Sequence, residues 1–161
     1  RDQLTSLFNH RSLFEIGPKE VANAQRHGYP ISILILDLDH FKRVNDDYGH
    51  QTGDVVLREI GVLIQSELRE GDYAARFGGE EFVVLMSHCE LGDAMVRAEE
   101  LREIIETQQP ANLPVTTSIG VATLREGGNF ESLFRAADAA VYKAKDGGRN
   151  CVESADESME A

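Results

Sequence analysis

The sequence predicts an α+β domain with a ferredoxin-like core, a βαββαβ antiparallel central sheet flanked by helices. Three observations predict it. Residues 31–36 form a run that is apolar but for Ser32, the mark of a strand covered on both faces. Two apolar stretches meet across Gly78-Gly79, as the arms of a hairpin do. Segments of helical period fall between them in the order helix, then strand–helices–strand–strand–helix–strand, then helix.

The elements follow in turn. Residues 9 to about 27 read as a helix with Leu13, Ile16, Val21 and Ala24 inward and Pro30 beyond its end. After the 31–36 strand, a short helix over about 39–48 stops at Gly49. A longer one over about 52–69 carries Leu57, Ile60, Ile64 and Leu68 at helical spacing. Residues 73–77 and 81–86 are the hairpin strands. Asp93 is placed to cap a helix to about 106, with Ala94, Ala98, Leu101 and Ile105 as one stripe. Residues 115–123 alternate as a strand, and 130 to about 145 form a helix ended by Gly147-Gly148. Cys151-Val152 add a short edge strand. The domain is expected over 1–153, with a polar, acidic, frayed tail over 154–161.

At 161 residues the chain is one domain with room for a core that needs no metal or disulfide staple. Its formal charge of −12 argues against a non-specific nucleic-acid binder, which needs a basic face. An anionic ligand would have to be held by a few local cations and a metal, so the four lysines, Lys19, Lys42, Lys143 and Lys145, each merit placing. Cys89 and Cys151 are too few for a zinc site or a disulfide framework and fit a reducing, cytoplasmic compartment. No apolar stretch approaches the ~20 residues a bilayer needs, so no membrane contact is expected of this segment. The chain starts at Arg1, and a longer protein with an upstream sensory or regulatory domain is expected.

Two acidic clusters close apolar strands: Asp37-Leu38-Asp39, and Glu80-Glu81 in the run Gly78-Gly79-Glu80-Glu81-Phe82. A ferredoxin-like sheet sets its first and third strands side by side and antiparallel, which makes Asp37 and Glu80 neighbours. Clustered carboxylates repel one another unless a cation lies between them. Oxygen ligands without His or Cys suit Mg²⁺, as one ion or a pair, over zinc. The paired glycines bend the backbone and leave it bare for a phosphate. Asp39 serves in part as the cap of the next helix, whereas Asp37 lies too early to cap.

Lys42 and Asn45 share a helical face, one suited to a phosphate and the other to a base edge. Asp54 is either a cap or an acceptor for ligand N–H groups. Lys145 and Arg149 bracket the Gly147-Gly148 turn and either reach the same phosphates or complement the helix dipole. No G-x-x-x-x-G-K-[ST] run is present, which excludes a P-loop NTPase.

These residues resemble the GGDEF domain, the diguanylate cyclase module of bacterial signalling proteins, over nearly the whole chain. The resemblance is carried by Asp2-Gln3-Leu4-Thr5, Asp37-Leu38-Asp39-His40-Phe41-Lys42 with Asn45, and Gly49-His50 with Gly53-Asp54. It continues through Arg76-Phe77-Gly78-Gly79-Glu80-Glu81-Phe82, Ser118-Ile119-Gly120-Val121, Ala137-Asp138, Ala144-Lys145 and Gly148-Arg149-Asn150. It implies a palm-like fold similar to class III nucleotide cyclases. It also implies condensation of two GTP into cyclic di-GMP with release of two pyrophosphates, across a homodimer.

By resemblance, Asp37, the Leu38 carbonyl and Glu80 bind Mg²⁺, two ions per site, with Mn²⁺ as a substitute. Asn45 and Asp54 hold the guanine edge with His50 nearby, and Phe41, Gly78 and Gly79 belong to the substrate site. Lys42, Lys145 and Arg149 match phosphate-contacting positions, and Lys42 stabilises transition-state charge. Glu80 or Glu81 eases deprotonation of the 3′-hydroxyl. Arg69 and Asp72 stand where similar proteins carry a site for inhibitory cyclic di-GMP. Glu80 replaces the Asp of the name motif and keeps the carboxylate, so the site is expected to be active. A receptor that binds cyclic di-GMP without making it is the rival reading.

Overall fold

A computed structural model describes residues 1–155 of the chain. Its helices are α1 His10–His27, α2 Phe41–Tyr48, α3 His50–Glu67, α4 Leu91–Gln108 and α5 Phe130–Asp146. Its strands are β1 Ile31–Leu38, β2 Tyr73–Arg76, β3 Glu81–Ser87, β4 Thr117–Thr123 and β5 Val152–Ser154. The sheet order is β2-β3-β1-β4-β5. β1 is antiparallel to both β3 and β4, β2 is antiparallel to β3, and β5 runs parallel to β4. The first four strands are the ferredoxin-like arrangement expected, and β5 extends it at one edge.

Alternation along β1 explains why its run is apolar on both faces save at Ser32, which is buried with its hydroxyl donating to the Cys89 carbonyl at 2.7 Å. Leu34 and Leu36 join the core formed with Val56, Ile60 and Leu101 of α3 and α4. Ile31, Ile33 and Ile35 join Leu13, Val21, Phe130 and Leu133 of α1 and α5 on the other face. Helices therefore cover both sides of the central strand. Continuing the same alternation puts Asp37 on the α5 face, where Lys145 lies. Gly120 of β4 lets α5 close on the sheet, since a Cβ there would lie 2.2 Å from the Ala137 carbonyl.

Several boundaries differ from expectation. β1 runs on through Leu38, because its ladder to β3 and β4 includes Asp37. α3 ends at Glu67, short of Arg69, with Gly71 (φ 92°) in the turn to β2. Asp93 is not the cap of α4, whose N-cap is Glu90 with no side-chain bond. Asp39 does not cap α2, whose N-cap is His40 in left-handed backbone. Sequence reading also passed over the capping box at Asn129 and Ser132 that starts α5. Ser154 ends β5 and Ala155 donates to the Val121 carbonyl at 2.8 Å, while residues 156–161 of the expected tail lie outside the described residues. Among the described residues no helix is long and apolar enough to cross a membrane.

Candidate active site

Antiparallel pairing of β1 with β3 sets Asp37 directly opposite Glu81. The Leu38 amide donates to the Glu80 carbonyl at 3.2 Å, which brings Glu80 alongside. Three carboxylates from two distant segments thus meet at one sheet end. Burial pushes the Asp37 carboxyl up, Lys145 pulls it down, and Asp39 adds a smaller upward push. Glu80 is raised by burial and then by Asp37. Glu81 is raised by burial, then by Asp37, Asp138 and Glu80. Each acid is therefore held in a place that disfavours its negative charge.

Asp37 Oδ1 is buried and accepts no hydrogen bond, although Lys145 Nζ lies 3.3 Å away. A buried carboxylate oxygen without a hydrogen bond, among carboxyls that repel one another, fits a site meant for a cation. Among the described residues no group of three His, Cys, Asp or Glu side chains forms a metal centre. Two carboxylates and a backbone carbonyl, with water and phosphate oxygens completing the shell, need no such group.

The turn between β2 and β3 differs from a two-residue glycine hairpin. It spans residues 77–80, closed by the Phe77 amide on the Glu81 carbonyl at 2.8 Å, and neither Gly78 nor Gly79 has positive φ. Their value here is bareness: a Cβ on Gly79 would meet nothing within 4 Å, so the backbone faces open space. Arg76 holds this turn, donating to the Gly79 carbonyl from Nε at 3.2 Å and Nη2 at 2.8 Å. Its other nitrogen pairs with Asp2 at 3.3 Å, both side chains about one-fifth exposed.

The residues expected to read a base lie on α2 and α3. Gly53 packs against Asn45, and a Cβ there would lie 2.0 Å from Asn45 Oδ1 and 3.2 Å from the Phe41 ring. Asn45 is thereby seated beside the first turn of α3, which carries His50 and Asp54, both exposed. Phe41 is buried. Lys42 is not gathered among the acids: its side chain is exposed and pairs with Asp46 at 3.3 Å. Lys145 is gathered, and Arg149 sits exposed at the rim in left-handed backbone.

Arg69 and Asp72 lie at the opposite end of β2 from the Gly78 turn. Arg69 is exposed and pairs with Asp93 at 3.4 Å. Asp72 is buried, accepting from Arg97 at 2.6 Å and from the Arg69 amide at 2.8 Å. A guanine could take Asp72 as acceptor only if the Arg97 pair opened. Sequence reasoning missed Arg97 here, as it missed Arg76, Gly53 and Asn150 as supports. Arg76, Gly53 and Asn150 carried a signal, since they lie inside the motif runs.

Fold and site together define a palm-like α+β domain with acids and a lysine converging at one end of its central strands. The chain belongs to the diguanylate cyclase GGDEF-domain family, whose profile matches residues 1–151. It is 39% identical to the diguanylate cyclase DosC of Escherichia coli K12 over 157 residues, covering 94% of this chain and 34% of DosC. It thus spans about a third of the length of that relative. The structure is similar to the GGDEF domain of DgcB from Caulobacter crescentus in complex with c-di-GMP, at TM-score 0.91 and 34% identity, covering 96% and 94% of the two chains. It is also similar to the active GGEEF domain of a diguanylate cyclase from Vibrio cholerae, at TM-score 0.90 and 31% identity, covering 94% and 99%.

Proposed function

We propose that this chain condenses two GTP into cyclic di-GMP and two pyrophosphates, acting as a symmetric dimer and inhibited by its product. The observation that carries the reading is the pairing of Asp37 with the Glu80-Glu81 segment at one strand end, Lys145 beside it, in a chain of this family. Asp37, Glu80 and the Leu38 carbonyl would hold Mg²⁺, as two ions, with Mn²⁺ able to substitute. When held there, Mg²⁺ would supply Lewis-acid polarisation of the α-phosphate and of the attacking hydroxyl.

The protein's own groups do the rest. Asp54 accepts from guanine N1–H and N2–H₂, and Asn45 adds an amide contact while His50 and Phe41 border the base. Lys145 and Arg149 hold phosphate oxygens, with Lys42 reaching in from α2 as transition-state charge builds. The bare backbone at Gly78 and Gly79 leaves room for phosphate beside the acids. The 3′-oxygen of one GTP bonds to the α-phosphorus of the other, the bond from that phosphorus to the β-phosphate bridge breaks, and pyrophosphate departs. The hydroxyl proton passes to Glu80, with Glu81 the second acid in reach. Repeating the step with roles exchanged closes the ring, which calls for two half-sites face to face.

Product binding at Arg69 would act away from the catalytic turn, by locking domains with their half-sites apart. Chromatography of products from GTP, ATP and a mixture, with Mg²⁺, tests the function. Cyclic di-GMP from GTP alone is expected. A protein that binds cyclic di-GMP yet makes none at any concentration would be the receptor instead.

A further inference from the structure

Lys145 and Arg149 lie on either side of a backbone turn that should not hold its shape unaided. Arg149 and Asn150 both have positive φ, 68° and 48°. Two successive non-glycine residues in the left-handed region persist only where their surroundings over-determine them. Beyond the Arg149 amide on the Ala144 carbonyl at 3.0 Å, the surroundings here are the paired Arg102 and Glu106 of α4, and Asp39.

The first is Arg102 of α4, which donates from Nη1 to Asn150 Oδ1 at 2.8 Å. Asn150 Nδ2 in turn donates to Glu106 Oε2 at 3.1 Å, so both ends of the amide are engaged. The second is Asp39, whose side chain is 1% exposed. Its Oδ2 accepts the backbone N–H of Asn150 at 3.0 Å and the Thr116 hydroxyl at 2.8 Å. Its Oδ1 accepts the Ser118 hydroxyl at 2.6 Å and faces Lys145 Nζ at 3.6 Å. One buried carboxylate therefore ties the end of β1 to β4, to Lys145 and to the turn that carries Arg149.

We infer that Asp39, Asn150 and Arg102 are positioning residues that fix Lys145 and Arg149 for the phosphates of the nucleotide. The inference rests on the nucleotidyl-transfer reading above. None of the three need touch the nucleotide. Their effect is to hold two cations where a polyphosphate arrives, so that binding does not have to order them. Phosphate recognition should therefore depend on the network, and recognition of the base should not.

The test measures binding of GTP and of guanosine to the same proteins by NMR titration with Mg²⁺. Asn150→Gly removes both side-chain bonds, to Arg102 and Glu106, while tolerating positive φ and keeping the backbone N–H on Asp39, and Asp39→Asn removes the central charge. Each is expected to weaken GTP about tenfold, as loss of a held charge contact does, with guanosine affinity kept within about twofold. In an Arg149→Met, Lys145→Met background the Asn150→Gly change should have no further effect on GTP. Should Asp39→Asn fail to fold, Asn150→Gly still decides the matter. Equal losses for GTP and guanosine, no loss for either, or a further loss in the double background would overturn the inference. Wild-type protein that bound neither would overturn it together with the nucleotide reading, whereas intact GTP binding with an unexpected product would overturn the nucleotidyl-transfer reading alone.

Discussion

Asp37 is the residue on which the site turns, and its surroundings make a prediction about stability as well as chemistry. Asp37, Glu80 and Glu81 are all raised above their ordinary values of 3.8, 4.5 and 4.5, burial being the largest cause for each. An acid raised in the folded state favours folding only while protonated, so that contribution is full below the ordinary value and lost as pH rises through the raised one. Metal-free protein should therefore lose stability as pH climbs from about 4 toward neutrality. Asp37→Asn and Glu80→Gln should abolish turnover and, without Mg²⁺, melt at or above the wild-type temperature at neutral pH. That advantage should shrink as the pH falls toward 4, and a Mg²⁺-induced rise in melting temperature should be confined to wild type. Calorimetry across pH checks this, and a wild-type-like Mg²⁺ response in both variants would contradict the metal assignment. Gly53→Ala is the companion prediction for the base. A Cβ 2.0 Å from Asn45 Oδ1 must displace the amide, so KM for GTP should rise about tenfold for a stability loss of about 1–3 kcal/mol. Steady-state kinetics beside a denaturant titration checks it, and unchanged KM would remove Asn45 from the pocket. The meeting of Asp37 with Glu80 was legible in the sequence because two acidic clusters close strands that a ferredoxin-like order sets side by side. Asp39 was read as a partial cap because its partners Thr116, Ser118 and Asn150 lie 77, 79 and 111 positions away.

Among the elements, the turn between β2 and β3 depends most on something outside itself. The N-terminal segment runs along β2, with the Phe8 amide donating to the Ala74 carbonyl and the Arg76 amide to the Phe8 carbonyl. Asp2 then pairs with Arg76, whose guanidinium grips the Gly79 carbonyl. Burial acts to raise Asp2, but bonds from Thr5 and the Arg76 charge leave its carboxyl below its ordinary value of 3.8. A depressed acid contributes stability above its unfolded value and loses it as pH falls through the folded one. Asp2→Asn should therefore destabilise the domain at neutral pH, and the deficit should close as pH falls below the ordinary carboxyl value of 3.8. Arg76→Ala should lower kcat at least about tenfold by loosening the glycine turn, at a cost to stability of about 1–3 kcal/mol. Unaltered kcat in that variant would mean that the turn holds its shape alone. The helices and strands themselves were legible from period and length. Their ends were less so. β1 ran two residues past the apolar run because sheet pairing carries Asp37 and Leu38, which hydropathy alone does not reveal. Asp93 looked like a cap by residue type, yet its carboxylate takes the Arg69 pair.

At the scale of the molecule, the proposed reaction requires a domain of charge −12 to collect a polyphosphate substrate and then a second copy of itself. Electrostatics opposes both, so metal and local cations have to prevail over net charge. Two half-sites imply that specific activity rises with protein concentration until the dimer is saturated, which turnover measured over a dilution series will show. Feedback belongs to the same scale. Arg69→Ala should raise the cyclic di-GMP concentration needed for half-inhibition at least about tenfold, since the turn holding it lies at the far end of β2 from the Asp37–Glu80 cluster. An unchanged inhibition curve would make Arg69 a surface residue. The sheet order was legible because the order of elements admits few arrangements, and that order alone carries Asp37 to Glu81 across 44 positions of sequence. The buried Arg97–Asp72 pair was not legible, because nothing in a pair of charged residues 25 positions apart announces burial. Pyrophosphate release from GTP and Mg²⁺, followed with product identification for wild type, Asp37→Asn and Glu80→Gln, bears most directly on the central claim. Two pyrophosphates per cyclic di-GMP from wild type and none above background from either variant is the predicted result, and undiminished release from either variant would contradict it.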